Sequence, residues 1–311
     1  MLLCAAVVAV PDKKRDSSKK TPSNKMRVLM LLLIFILVIS YVTVLIIPQN
    51  NYIAPPSPSL FEPKPWMSSI PTDIEGFRFL NITQLVSYPN LFTNSVLLSI
   101  PELSLNISVY DAIYGLDMLT KNNMTVNIIA MNKSESDRIA LVFSEGNLTT
   151  AVHNNVTIYR LSSAPITQQG EAWICIHNET IILSEGANLA LASIESVLDA
   201  PSNPFFGNDS FKVGYLMASL GNGQFLFWYT TSGDNTLNVD WEMWSAANSS
   251  GIALRYLLHF PVSGDVGLKY QDAVKSVLSK AITVSKSDNA IIGDFSYASS
   301  DIRAVVMGLI K

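Results

Sequence analysis

Between Val28 and Ile47 the chain reads VLMLLLIFILVISYVTVLII, with no charge and no proline. At a helical rise of about 1.5 Å per residue, a run of about twenty residues matches a hydrocarbon core roughly 30 Å thick. No other stretch limits the fold as strongly, because a helix apolar on every face has no wet side to turn toward water. A cleaved secretory leader would carry a shorter apolar region, about 7 to 15 residues, closed by small residues. Here the run ends Val42, Thr43, Val44, Leu45, Ile46, Ile47, Pro48. The sequence therefore predicts a retained signal anchor over 28–47.

Its flanks set the orientation. Lys13, Lys14, Arg15, Lys19, Lys20, Lys25 and Arg27 precede the span, opposed only by Asp12 and Asp16, and the next basic residue after it is Lys64. Positive flanks stay inside, which makes 1–27 a cytoplasmic tail and sends the rest outward. Of the chain's 21 basic and 25 acidic residues, the outer part keeps 14 and 23. That acidity argues against nucleic acid, which calls for a basic footprint. Met26 is a second candidate start, from which the chain would open MRVLMLLLIF, an ordinary signal-anchor beginning.

Asn81, Asn106, Asn123, Asn132, Asn147, Asn155, Asn178, Asn208 and Asn248 each open an Asn-x-Ser/Thr triplet without proline, and all nine lie beyond the anchor. Chance would place roughly four there. They are the candidate glycosylation sites, set against the alternative of a Ser/Asn-rich surface that carries no glycan. Cys4 and Cys175, the two cysteines, fall on opposite sides of the expected membrane. The outer domain must then fold on its core without an internal disulfide.

Pro48, Pro55, Pro56, Pro58, Pro63 and Pro65 crowd the first residues after the anchor, so 48–71 reads as a Pro-rich stalk, with Tyr52, Leu60, Phe61 and Trp66 able instead to pack back on the domain. Beyond it, strand patterns dominate. TLNVDWEMW alternates Leu237, Val239, Trp241 and Met243 with polar residues, the period of a sheet wet on one side. With FKVGYLMASL, QFLFWYTT and IALRYLLHF it predicts a four-stranded meander over 211–260, the glycines of Gly221-Asn222-Gly223 turning one hairpin. VLLSIPE, TVNIIAMN, RIALVFSEG, VTIYRLSS, EAWICIH and TIILSEG also read as strands. Helices are expected at ANLALASIESVLDA, LKYQDAVKSVLSKAI and SSDIRAVVMGLIK, and more weakly at VYDAIYGLDMLT. The predicted class is α+β: a transmembrane helix, then an ectodomain of antiparallel sheet with helices on one face. It is divisible into lobes 72–202 and 203–311 meeting near Pro201 to Pro204.

Chemistry-bearing constellations are sparse. The chain holds three histidines, His153, His177 and His259. Cys175 and His177 share a strand face but bring no third ligand, so a packed strand beside Trp173 is the better reading. The SEG triplets at Ser144 and Ser184 lack the G-x-S-x-G elbow. Asp111 with Asp117, six apart on a helical reading, share no face, and Asp240 with Glu242 read as a solvated strand face. No catalytic, cofactor-binding or metal-binding residue is assigned, and no cofactor is expected.

An anchor, a Pro-rich spacer and a sequon-dense ectodomain with few charges and few cysteines together resemble the single-pass, N-glycosylated cell-surface proteins of thermoacidophilic archaea. The segment WICIHNETIILSEGANLALASIESVLDAPSNPFF is similar to the hairpin, helix and Asn-Pro-Phe order of some uncharacterised extracytoplasmic domains. The resemblance implies no catalytic residue. It agrees with a membrane-anchored extracytoplasmic protein serving as a non-enzymatic binding or structural subunit of the envelope or of a membrane complex. An extracytoplasmic hydrolase or glycan-processing enzyme is the alternative, marked by two carboxylates about 5 to 9 Å apart in a cleft; a solute-binding protein is another, marked by an apolar pocket. Expected partners are membrane lipid along 28–47 and another envelope protein. Because no sequon falls in 249–311, Tyr270, Val306 and Ile310 are the candidate docking surface.

Overall fold

The computed structural model describes residues 51–88, 96–167, 170–186, 188–202, 205–220, 223–230, 239–248, 251–260 and 281–301. The tail 1–27, the anchor 28–47, nearly all of the helices expected over 268–282 and 299–311, and the docking residues Tyr270, Val306 and Ile310 lie outside them. No helix among the described residues is long and apolar enough to cross a membrane.

In chain order the strands are β1 (Asn51–Tyr52), β2 (Ile74–Leu80), β3 (Val96–Ile100), β4 (Leu105–Ser108), β5 (Ala112–Thr120), β6 (Thr125–Met131), β7 (Thr149–His153) and β8 (Val156–Leu161). They continue with β9 (Ala172–His177), β10 (Thr180–Glu185), β11 (Gly223–Thr230), β12 (Trp241–Asn248), β13 (Ile252–His259), β14 (Thr283–Lys286) and β15 (Ala290–Tyr297). The helices are α1 (Ile82–Leu85), α2 (Lys133–Glu145), α3 (Asn188–Asp199) and α4 (Asp209–Ala218).

Thirteen strands form one sheet in the order β1-β14-β15-β13-β12-β11-β2-β5-β6-β10-β9-β8-β7, and β3 with β4 makes a separate hairpin. Every pairing in the large sheet is antiparallel except β1 with β14. Two hairpins close through two-residue turns at positive φ, Asn154-Asn155 between β7 and β8 and Asn178-Glu179 between β9 and β10. Both central residues left-handed is the turn whose twist matches paired strands.

Register carries one apolar row across the sheet: Ile292, Leu257, Met243, Trp228, Phe77, Met118 and Val126 stand side by side on β15, β13, β12, β11, β2, β5 and β6. Over this first face lie Ile194 and Val197 of α3, Phe211 and Met217 of α4, and Trp66 and Met67 of a short helical turn at Pro65–Ser69. Trp66 stacks on Phe79 at 4.5 Å, and Phe205 meets Trp228 edge-on at 4.7 Å. The opposite face is covered in two places. Toward β9 and β10, Ile139 and Phe143 of α2 pack with the β3–β4 hairpin over Ile174, Ile181 and Leu183. Toward β13 and β15, Leu85 of α1 joins a cluster with Phe225, Leu254, Leu258 and Phe295.

This architecture corrects the predicted class. The described residues are mainly antiparallel sheet with few helices; those helices pack on both faces, and β11 of the second half pairs with β2 of the first from Phe225↔Leu80 to Tyr229↔Gly76. One sheet thus runs through the expected division into lobes. Three elements change type. VYDAIYGLDMLT is strand β5, because Leu116 and Met118 alternate into rows already set by Phe77 and Phe79. RIALVFSEG belongs to α2, whose buried Ile139 and Phe143 are four apart while Leu141 stays exposed. FKVGYLMASL is α4, begun by Asn208, whose side-chain oxygen accepts from the Ser210 amide at 2.8 Å. The four-stranded meander is accordingly three strands behind a helix.

Gly214 lets α4 settle on the sheet, since a Cβ there would lie 1.9 Å from the buried Trp241 ring. Gly214→Ala gains about 1 kcal/mol of helix propensity but overpacks that contact, at a typical cost of about 1–3 kcal/mol. A net fall in the urea unfolding midpoint is expected.

Candidate functional site

Between the two covered patches of the second face, the sheet stays open. Two cross-strand rows floor this stretch: Asp117, Arg78, Phe227 and Trp244 on β5, β2, β11 and β12, and beside them Leu119, Gly76, Tyr229 and Glu242 on the same strands. They line a cleft of about 570 Å³, with Thr125 of β6 at one end and Glu242 and Trp244 at the other. That volume falls in the range of small-molecule sites, roughly 300–1,000 Å³. Gly76 keeps the floor low: a Cβ there would meet the Cβ of Tyr229 at 2.7 Å and the Trp228 carbonyl at 2.9 Å.

Arg78 and Asp117 compensate each other, and Glu75 and Glu242 are the further carboxylates of the lining. Arg78 donates from Nε to Asp117 Oδ2 at 2.8 Å and from Nη2 to the same oxygen, the pair being about one quarter exposed. Glu242 is buried and accepts a hydrogen bond from the Tyr256 hydroxyl. Burial raises the Glu242 pKa above the usual carboxylate range, and the Tyr256 bond opposes that rise. Burial, followed by the Glu242 charge, also raises the Tyr256 phenol. Trp244 stacks on Tyr256 with centroids 3.8 Å apart, and Phe227 meets Tyr229 edge-on at 5.1 Å. The arrangement can offer aromatic surface beside hydrogen-bond donors and acceptors. Asp117 and Glu242 do not form a glycosidase pair: they stand three strand spacings apart, about 14 Å along the sheet, and Asp117 is already engaged by Arg78.

The candidate sites of the sequence fall as follows. Asn106, Asn123, Asn132, Asn147, Asn155, Asn178 and Asn208 are exposed and Asn81 is half-buried, in turns, at helix starts or on the β4 strand. Asn248 ends β12. Cys175 is fully buried on the first face and burial pushes its thiol up to about 12. His177 Nε2 lies 2.8 Å from the Asn178 amide, and no group of three metal-ligating residues occurs among the described residues. Ser144 and Ser184 donate to the Leu141 and Thr125 carbonyls. Asp240 is exposed beside His259, as a solvated acid would be, whereas Glu242 is buried, so the solvated reading fails for Glu242 alone. Sequence reasoning missed the Arg78–Asp117 pair and the Glu242–Tyr256 bond. Their one signal was a charge set in an otherwise largely apolar strand: Arg78 in β2, Asp117 in β5 and Glu242 in β12.

A second polar cluster surrounds His259. Its Nδ1 lies 3.3 Å from Asp240 Oδ2, its Nε2 3.3 Å from Ser210 Oγ and 2.8 Å from Asn289 Nδ2, and its ring stacks on Trp241 at 4.6 Å. The order serine, histidine, aspartate is that of a nucleophile relay. Nε2, however, can make one in-plane hydrogen bond, and the nearer Asn289 amide takes it whichever way that amide is turned. Ser210 is left without a base, and burial lowers the His259 pKa against the opposing pull of Asp240. We read the cluster as the polar closure of the β12–β13–β15 end.

No protein-family model and no curated protein matches the chain. Among solved structures, crystal form I of TP0453 is similar at 12% identity and a TM-score of 0.45, over 80% of this chain and 98% of that one.

A carboxyl raised by burial contributes stability that is complete below its unfolded pKa, about 4.3, and is lost as pH rises through the folded value. Glu242→Gln keeps an acceptor for Tyr256 and removes that titration. Urea midpoints measured from pH 4 to 7 should fall more in the wild type than in the variant; parallel curves would show Glu242 to be unperturbed. For Cys175, alkylation followed by peptide mass spectrometry should find no adduct in the folded protein and full reaction in denaturant.

Proposed function

We propose that the chain is a membrane-anchored extracytoplasmic protein that binds rather than transforms, its outer domain holding a ligand or envelope component in the cleft over β5, β2, β11 and β12. The carrying observation is the cleft itself: aromatic walls around an Arg78–Asp117 pair that already neutralises itself and a Glu242 held by Tyr256, a composition suited to recognition. Supporting the location are the apolar run at 28–47, its basic flank, and eight sequon asparagines none of which is buried. Residues 1–27 form the inner tail in this reading. The sequons carry N-glycans, as in the archaeal surface proteins the layout resembles. Another envelope or membrane-complex protein docks through the sequon-free region containing Tyr270, Val306 and Ile310.

Protease added to intact cells is expected to remove the chain beyond Pro48 and spare the basic tail, detected with an N-terminal epitope. Protection of the whole chain would overturn the topology. Purification from native membranes, with mass spectrometry of the glycopeptides and of co-purifying proteins, then tests the glycans and the partner.

A further inference from the structure

We propose that the cleft is a site for a neutral saccharide, an inference that rests on the binding reading above and assigns its ligand class. Consider first what the cleft rejects. Arg78 and Asp117 form a partly buried ion pair, and a charged ligand group would have to compete with one of them and leave the other uncompensated, which is costly. Glu242 is buried and already engaged by the Tyr256 hydroxyl, which leaves Glu75 as the carboxylate of the lining open to a ligand, and its oxygens accept from hydroxyls as well as from a cation. A purely apolar ligand fits little better. It would cover Arg78 Nη1 and Asp117 Oδ1, which make no hydrogen bond among the described residues, and strip their water without replacement.

A sugar meets both demands. Its hydroxyls donate and accept at once, so they can pair with the free guanidinium nitrogen and the free carboxylate oxygen while the Arg78–Asp117 bond stays intact. The C–H faces of its ring lie flat on aromatic surface, here supplied by Phe227, Tyr229 and Trp244. Trp244 is braced from behind by its stack on Tyr256, so it presents a fixed platform and little rotamer freedom is lost on binding. From β6 to β12 the lining crosses four strand spacings, about 19 Å, which suits an oligomer rather than a single ring.

Two sources of such a ligand are distinguishable. Thr125 lines one end of the cleft and is also the third residue of the sequon at Asn123, which sits exposed in the β5–β6 turn. A glycan on Asn123 would start beside the cleft, whereas a free envelope oligosaccharide would enter from solvent.

The test is calorimetric titration of the full chain in detergent with neutral gluco-, manno- and galacto-oligosaccharides, alongside oligouronates and the apolar probe 1-anilinonaphthalene-8-sulfonate. Saturable binding of at least one neutral series is expected. It should weaken about tenfold in Tyr229→Ala, the scale of one lost ring contact, and comparably in Arg78→Lys, which keeps the ion pair but loses the planar fork. Leu119→Glu, a change at an exposed position of the rim, provides a variant whose folding is not in question. Binding that appears only in Asn123→Gln assigns the site to the chain's own glycan; binding in both forms assigns it to a free saccharide. Neutral saccharides that fail to bind either form, or bind all three cleft variants equally, overturn the proposal. Because the probe and the protease assay are read separately, an empty saccharide titration with outward topology rejects the ligand class and leaves the envelope reading standing.

Discussion

Backbone pairing of β2 with β11 sets Phe77 beside Trp228, Phe79 beside Leu226 and Arg78 beside Phe227, and the remaining layers depend on that alignment. Side chains alternate with period two, so a slip of one residue would exchange the faces of the whole strand. Arg78 would then enter the first face among Trp66, Phe205 and Phe211, away from Asp117, and Phe77 would stand in the open cleft. An unpaired buried guanidinium is among the costlier errors a core can contain. The Arg78–Asp117 pair, which spans β2 and β5, thus selects the face of β2 on which β11 builds. Gly76 reinforces it, since no side chain fits where its backbone passes Tyr229.

Eight of the fifteen described strands were legible, because a sheet buried on both faces leaves long apolar runs, and β9, β10 and β13 read that way at once, whereas β1, β2, β4, β7, β14 and β15 went unread. α3 lies where an apolar stripe ending at Pro201 placed it. The errors came where one segment satisfies two periods. In α2, Ile139, Leu141 and Phe143 alternate as a strand would, while Ile139 and Phe143 also sit one helical turn apart. Local evidence for the helix lay in Glu135 and Arg138, spaced three apart and bonded at 2.8 Å. β5 is the converse: its residues tolerate a helix, and the row formed by its neighbours on β2 and β6 decides for strand. Tertiary context outweighed propensity there.

The cleft was hidden for a different reason. Arg78 and Asp117 are 39 residues apart, and Phe227, Glu242 and Trp244 arrive from still further along the chain. No spacing motif links them; only strand order brings them together. Glu242 also shows how alternation misleads. Its place opposite Trp241 and Met243 in the pattern suggests water, yet its neighbours across the strand pair, Leu258 and Tyr256 of β13, bury it at the end of the cleft. Which side of a strand is wet depends on what else packs there, and that is a property of topology.

An open aromatic stretch in a sheet otherwise covered on both faces needs its own explanation, because water against Phe227, Tyr229 and Trp244 forgoes burial worth about 25 cal/mol per Å². Neighbouring rows were closed by short elements: α1 over Leu80 and Phe225, α2 and the β3–β4 hairpin over Ile129 and Ile174. Along the cleft, closure by an apolar element would have to desolvate the Arg78–Asp117 pair, whose free hydrogen-bonding atoms would then lack partners. Placing that pair in the middle of the rows therefore keeps the surface open, and it does so without surrendering the register that the pair enforces. One interaction both fixes how β2 and β5 align and prevents the domain from covering the surface they create.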